Sequence, residues 1–323
     1  MKIAHSLLRL AVSLVLAVFT CNSALAAAPV AVVNAGEKFP LHGHIDYIPD
    51  GPQVSHDKLL AGQYDNDFRR YDDYAVNFRD APVWLRLRIT NNTDSNMLVL
   101  STNDVLYTEA EILYLPTEPE GETVPVNRKA GLLNGHAGKT WHYHDIAFPV
   151  QLLPGQTQVV YLRLHTPYFL LLDPYVADLA TYSVYQAEFA SWGHLMVGLM
   201  IGVLVYLGMV ALYMRHIRNI RYGVAFVFTA LLVVLLARGY IFNLLPNIPW
   251  LNTHLYPLVF SAQALAYIAF SLNHFKTQKD FPHVDKLLRA CEAVCATLFV
   301  ASLFIPLQWA VMAIGVVAFL VVI

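Results

Sequence analysis

Two hydrophobic periods divide the chain. From Val83 to Ile89 apolar and polar residues alternate strictly, which sets Val83, Leu85, Leu87 and Ile89 on one face of a strand and Trp84, Arg86 and Arg88 on the other. The pattern predicts a strand buried on one face only. The same alternation returns in Tyr161-Leu162-Arg163-Leu164-His165, and further strand-like stretches run through 96–101, 105–115, 142–150 and 170–179. Turn-forming clusters separate them, among them Asn91-Asn92-Thr93-Asp94 and Leu153-Pro154-Gly155. About eight short strands with polar turns predict an all-β antiparallel sandwich or jelly roll. Residues 51–79 lack a clean period and read as a loop, rich in Tyr and Asp, with one helical turn.

Beyond residue 190 the alternation gives way to long apolar runs, which predict an α-helical membrane bundle with spans near 195–214, 222–238, 253–275, 288–305 and 308–323. Arg215, Arg218 and Arg221 crowd one connection, and Lys276, Lys279, Lys286 and Arg289 crowd another. Positive charge marks cytoplasmic loops, so both connections face inward and the β-domain faces outward. Trp192, Trp250 and Trp309 fall near outer span ends, where indole rings anchor in the headgroup zone. Glu292 is the clear intramembrane charge, within a turn of the cytoplasmic end, and Arg238 lies close to the outer boundary. Such sparse charge argues against a pump or transporter, which needs ionisable groups along its path. Gly198, Gly202 and Gly208 allow close helix approach on the first span.

Charge separates the same two halves. Residues 27–190 hold eleven Lys or Arg against twenty Asp or Glu, a net near −9, whereas residues 191–323 hold eight against three. The acidic half is a poor partner for nucleic acid or anionic lipid. Met1-Lys2 and Arg9, the apolar run Leu10 to Phe19 and Ala24-Leu25-Ala26 together read as a signal peptide over 1–26. Export would leave a periplasmic β-domain over 27–187 and a membrane domain over 191–323. Cys21 departs with the signal peptide, and Phe19-Thr20 before it suits a lipoprotein anchor poorly. Cys291 and Cys295, at helical i,i+4 spacing in an apolar run, read as packing residues, so the β-domain must hold together without a disulfide.

Candidate chemistry is sparse. Trp84, Trp141 and Tyr143 beside Arg86 and Arg88 form a candidate ligand-binding set, since aromatic faces with cationic and hydroxyl neighbours suit a sugar or small anion. His42 and His44, and likewise His142 and His144, stand two apart and so on one strand face; if the pairs met they would offer imidazole ligands to zinc or copper. No Gly-x-Ser-x-Gly elbow, His-Glu-x-x-His helix or phosphate-binding Gly-rich loop occurs in the sequence. No cofactor is expected.

Taken in order, these segments resemble the bacterial seven-transmembrane receptors with diverse intracellular signalling modules. In the β-domain the resemblance rests on Val83-Trp84-Leu85-Arg86 leading into Asn91-Asn92, and on Leu153-Pro154-Gly155-Gln156 before Val159-Val160-Tyr161-Leu162-Arg163-Leu164. In the bundle it rests on Gly198 and Gly202 with Tyr206, on Gly239-Tyr240 followed by Leu245-Pro246-Asn247 and Pro249-Trp250, and on Phe281-Pro282-His283-Val284-Asp285-Lys286-Leu287-Leu288. The resemblance implies a jelly-roll sensor of the family's second extracellular type, related in shape to carbohydrate-binding modules. It also implies seven spans and a cytoplasmic output such as a histidine kinase or diguanylate cyclase. Spans six and seven and any output are missing from the sequence, so the expectation is the sensor portion of an inner-membrane receptor and not an enzyme. Its expected partners are a periplasmic small molecule or glycan, the lipid bilayer, a cytoplasmic signalling module in cis or in trans, and a second copy in a homodimer. The alternatives are a transporter or its accessory subunit, and a metal-dependent membrane-anchored periplasmic enzyme.

Overall fold

The computed structural model describes residues 28–49, 54–71, 75–76, 82–116, 124–134, 139–141, 143–168, 170–213, 217–245, 248–275 and 277–322. The expected signal peptide and His142 lie outside the described residues. Thirteen strands occur within them: β1 Ala31–Asn34, β2 Phe39–Pro40, β3 Ile45–Pro49, β4 Arg69–Arg70, β5 Ala75–Val76, β6 Val83–Asn92, β7 Met97–Ser101, β8 Glu109–Tyr114, β9 Val126–Ala130, β10 Ala147–Gln151, β11 Thr157–His165, β12 Leu170–Leu171 and β13 Tyr175–Asp178. The larger sheet runs β4-β3-β6-β11-β8-β9, with β1 joining β6 in parallel. The smaller runs β10-β7-β13-β2, and β12 pairs with β5.

The alternation in β6 and β11 dictates how the sheets stack. Antiparallel pairing sets Leu85 opposite Leu162 and Leu87 opposite Val160. These residues, with Ile89, Ile112 and Leu164, meet Leu98, Leu100, Phe148, Val150 and Val176 of the smaller sheet in one apolar core. Each fully buried aliphatic side chain contributes about 1.5–3 kcal/mol, which explains a sandwich that stands without disulfides.

The other face of β6 departs from the one-sided burial that its alternation predicts. Trp84 is 1% exposed and Arg86 8%. The cause is the stretch read as a loop. It contains helix α1, His56–Leu60, and it lays Leu59 and Phe68 over Trp84, Ile48, Leu113 and Tyr161 as a second apolar cluster.

β13 passes into helix α2, Leu179–Tyr213, with no residue between them. Asp178 sits at the junction. Its carboxylate accepts from Thr181 N and Thr181 Oγ1, both at 2.8 Å, and from Gly36 N at 2.9 Å. It thereby caps the helix and pins it to the β1–β2 turn. Burial pushes the Asp178 carboxyl up, but the N–H groups of Thr181 and Gly36 outweigh it and hold the group below the usual carboxylate range.

The remaining helices are α3 Ile217–Ala237, α4 Tyr240–Leu244, α5 Pro249–His274, α6 Thr277–Asp280, α7 Pro282–Ala301 and α8 Leu307–Val322. Among the described residues three helices are long and apolar enough to cross a membrane: α2, the Ile220–Ala237 part of α3, and α5. The fourth and fifth expected spans coincide with α7, whose first eleven residues carry Asp285, Lys286, Arg289 and Glu292, and with α8, which has 16 residues. α5 lies at the centre of the bundle, against α3, α7 and α8.

Candidate functional site

Two places in the fold gather polar groups that the core does not need. The first is the outer face of the larger sheet. Strand register lines up Ile48, Trp84, Arg163, Glu111 and Lys129 in one row across five strands. α1 holds His56 above that row, with Nε2 3.3 Å from Glu111 Oε1 and the ring edge-on to Trp84, centroids 5.6 Å apart. Lys129 Nζ stands 3.5 Å from the other carboxylate oxygen of Glu111. Glu111 is buried, and its Oε1, though at ion-pair distance from His56, lacks the alignment of a hydrogen bond. Trp84 Nε1 has no hydrogen-bond partner among the described residues. Buried polar atoms are almost always satisfied, so a donor and an acceptor left open in one row, beneath α1, set this row apart from the apolar cluster beside it.

In the neighbouring row Arg86 is fully engaged. Its Nε and Nη2 donate to Asp46 Oδ2 at 3.2 and 2.8 Å, Nη1 donates to Asp65 Oδ1 at 2.8 Å, and the guanidinium lies 4.4 Å from the centre of the Phe68 ring. This network clamps α1 and the turn after it onto the sheet. The five residues of the candidate ligand set therefore fall in two places. Trp84, Arg86 and Arg88 share the outer face of β6, whereas Trp141 and Tyr143 pack on Tyr182 of α2, with ring centroids 5.4 and 5.7 Å apart. Of the candidate metal ligands, His44 donates from Nδ1 to the Pro29 carbonyl at 3.0 Å and packs edge-on against Phe39. Among the described residues no three His, Cys, Asp or Glu side chains gather as a metal-binding group.

The second place is the seam between sandwich and bundle, and it holds His144. The sandwich core runs on without a break into Leu236, Ile241, Phe242, Val259 and Val311 at the near end of the bundle. Around this apolar contact lies a polar ring. Asp145, buried, accepts from Ser101 Oγ and, at 2.9 Å, from Tyr182 Oη of α2. His144 donates from Nδ1 to Gln186 Oε1 at 2.7 Å and stacks on Phe189, centroids 3.6 Å apart. Arg238 lies over the same Phe189 ring at 4.2 Å. Gly239, with φ +71°, lets the chain turn directly against the His144 backbone, where a Cβ would stand 3.3 Å from the His144 carbonyl oxygen. On the far side Tyr168 Oη donates to the Thr253 carbonyl of α5 at 2.6 Å. Sequence reasoning passed over Asp145, Tyr168 and Gln186, although a lone carboxylate set between His-Tyr-His and Ile146-Ala147-Phe148 was the available signal.

Comparison with known protein families accounts for both halves. A family model described as 7TMR-DISM extracellular 2 matches residues 43–178, and one described as 7TM diverse intracellular signalling matches residues 190–323. The chain belongs to this receptor family. No curated protein matches it. The receptor thus has an extracellular β-domain ahead of its membrane helices, and both matched families are signalling families, not catalytic ones. Residues 179–189, between the two matches, carry Tyr182, Gln186 and Phe189, the α2 side of the seam.

The seam gives the receptor a pH dependence of definite sign. Burial pushes the His144 imidazole below the usual histidine range, and Arg238 adds to this; Asp145, Gln186 and Asp104 oppose it. The unfolded chain therefore takes up the proton first, so stability is full above a pH of about 6.5 and declines as pH falls below it. Thermal unfolding of the full chain in detergent at pH 7.5 and 5.5 should show a lower Tm in acid. His144→Gln should shrink that difference; an equal difference in both proteins would place the proton elsewhere.

Proposed function

We propose that this chain is the sensing and membrane-crossing part of a bacterial inner-membrane receptor, in which a periplasmic ligand shifts the sandwich and the seam passes the shift to the helices. One observation carries the reading. The sandwich has no free linker to the bundle: β13 continues into α2, and Asp145, His144 and Tyr168 tie the sheets to α2 and α5. A ligand that favours one packing of the sheets then favours one arrangement of the helices, and its differential affinity sets the size of the response. The outer face around His56, Glu111 and Lys129 is the ligand surface that best suits a glycan or a small carboxylate. A cytoplasmic module, in cis or in trans, reads the change, and a homodimer is one form in which it would do so.

The test uses spin labels on Tyr213→Cys and Phe275→Cys, exposed at the ends of α2 and α5 far from the sandwich, with Cys21→Ser, Cys291→Ser and Cys295→Ser removing the native thiols. In nanodiscs, sugars and small carboxylates are first screened for a rise in Tm, because a ligand that binds only the native state stabilises it. A ligand that raises Tm should also change the distance between the labels. Binding with no change in that distance, or accumulation of labelled solute inside proteoliposomes, would replace this reading with a binding module or a transporter.

A further inference from the structure

The end of the bundle opposite the sandwich, where the charge pattern places the cytoplasm, contains a cavity of about 410 Å³ between α3, α5, α6 and α7. Its polar lining comes from Tyr222, Asn273, Gln278, Lys279, Arg289 and Glu292. Beside it Ile268 and Leu272 of α5 pack on Cys295 of α7, so the two helices are closed together just behind the polar groups. A polar recess in the headgroup zone between membrane helices is where charged headgroups lodge.

The charges define what fits. Asp285 accepts from Arg289 Nε at 2.7 Å and from Thr277 Oγ1 at 2.7 Å, which joins α6 to α7 and fixes the arginine. Arg289 keeps its two Nη groups outside that bond, and Lys279 supplies a second cation from α6. Glu292 stands three residues beyond Arg289 on α7, about 4.5 Å along the axis and on the same helix face. Counting Lys279 and Arg289 against Asp285 and Glu292, the site is neutral overall, with Arg289 between the two carboxylates on α7 and Lys279 facing them from α6. A purely anionic group would meet the repulsion of Glu292, and a simple cation would meet Lys279 and Arg289.

We infer that this cavity binds a phosphate joined by a short linker to a primary ammonium, the phosphate on Lys279 and Arg289 and the ammonium on Glu292. Phosphoethanolamine has that chemistry, either as the headgroup of phosphatidylethanolamine or as the free compound. The ammonium must carry N–H groups to donate to the carboxylate, so the choline analogue fits poorly. Occupancy would clamp α5, α6 and α7 together at the end of the bundle from which a signal leaves. The inference is independent of any ligand on the sandwich.

Native mass spectrometry of the full chain, released from detergent micelles doped equally with phosphatidylethanolamine, phosphatidylcholine and phosphatidylglycerol, tests the lipid source. Phosphatidylethanolamine should be retained over phosphatidylcholine by about tenfold or more, as expected when charge-assisted hydrogen bonds are available to one headgroup only. Glu292→Gln should abolish that preference. Lys279→Gln, at an exposed position, should weaken retention of all three lipids. In a second arm free phosphoethanolamine and phosphocholine are added to lipid-free protein in detergent, and Tm is read. A rise with phosphoethanolamine alone, without lipid preference, assigns the site to the free compound. Equal retention of ethanolamine and choline lipids together with no Tm response overturns the inference. So does preferential retention of phosphatidylglycerol, or a preference that survives Glu292→Gln in a protein whose Tm matches the wild type.

Discussion

Gly131→Ala is expected to destabilise the β-domain by at least about 3 kcal/mol, the range reached when a backbone clash has no means of relief. Gly131 has φ +136°, and a Cβ there would stand 2.5 Å from the Thr108 carbonyl oxygen, 2.9 Å from its carbon and 3.0 Å from Glu109 Cα. All three are backbone atoms at the entry to β8, a strand paired on both sides by β11 and β9. Leu132 N and Leu133 N donate to the carbonyls of Tyr107 and Thr108, so the chain lies flush against the residues it would collide with. Gly36 provides the control. Its φ is +73°, but nothing lies within 4 Å of its Cβ position. Gly36→Ala should therefore cost only the left-handed backbone term, about 1–2 kcal/mol. Thermal unfolding of the full chain in detergent, followed by tryptophan fluorescence, separates the two. Equal Tm shifts would mean that the close approach at Gly131 has no energetic weight.

Asp145→Ala is expected to lower stability by about 2–6 kcal/mol, because it strips the acceptor from two buried hydroxyls, Ser101 and Tyr182, at about 1–3 kcal/mol each. The loss should fall on the seam as well as on the sandwich. Ser101 ends β7 in the smaller sheet, and Tyr182 lies one turn into α2, so the carboxylate joins the two directly. Tyr182→Phe removes one donor and should cost about 1 kcal/mol. In the double variant the Tyr182 part of the penalty disappears, since no hydroxyl remains to be left unpaired, and the combined cost should be less than the sum. Strict additivity would show that Asp145 and Tyr182 do not act as a pair. A spin-label distance across the seam that stays unchanged in Asp145→Ala would show that the carboxylate supports the sandwich alone.

The period of two in β6 and β11 made the sandwich legible, because a strict alternation fixes which side chains enter a core whatever the rest of the chain does. The same pattern misstated the outer face. A polar or aromatic side chain opposite an apolar one predicts water only when nothing else covers the sheet, and residues 54–68 do cover it, with Leu59 and Phe68 at irregular spacing that no window resolves. Arg86 shows the difficulty plainly. In a strand it reads as a solvated cation, and its burial depends on Asp46 and Asp65, which arrive from a neighbouring strand and from the turn after α1. Trp141, Tyr143 and His144 read as chemistry for a ligand or a metal because aromatic and imidazole groups serve both binding and packing. Here they meet Tyr182, Gln186 and Phe189, 39 to 45 residues further along the chain, a separation at which composition carries no information about contact.

The unbroken passage from Asp178 into α2 has a consequence for engineering. Thirty-five residues of helix extend about 52 Å, well over the roughly 30 Å of a hydrocarbon core, so several turns stand clear of the lipid as a rigid shaft. A shaft of this kind carries rotation as faithfully as displacement. Each alanine inserted between the seam and the lipid would turn everything beyond it by about 100°, and seven would bring it back to within about 20° of its starting azimuth. A receptor read by torsion would lose and regain its output with that periodicity, like a misaligned and realigned crankshaft, whereas one read by piston stroke would follow the added length alone.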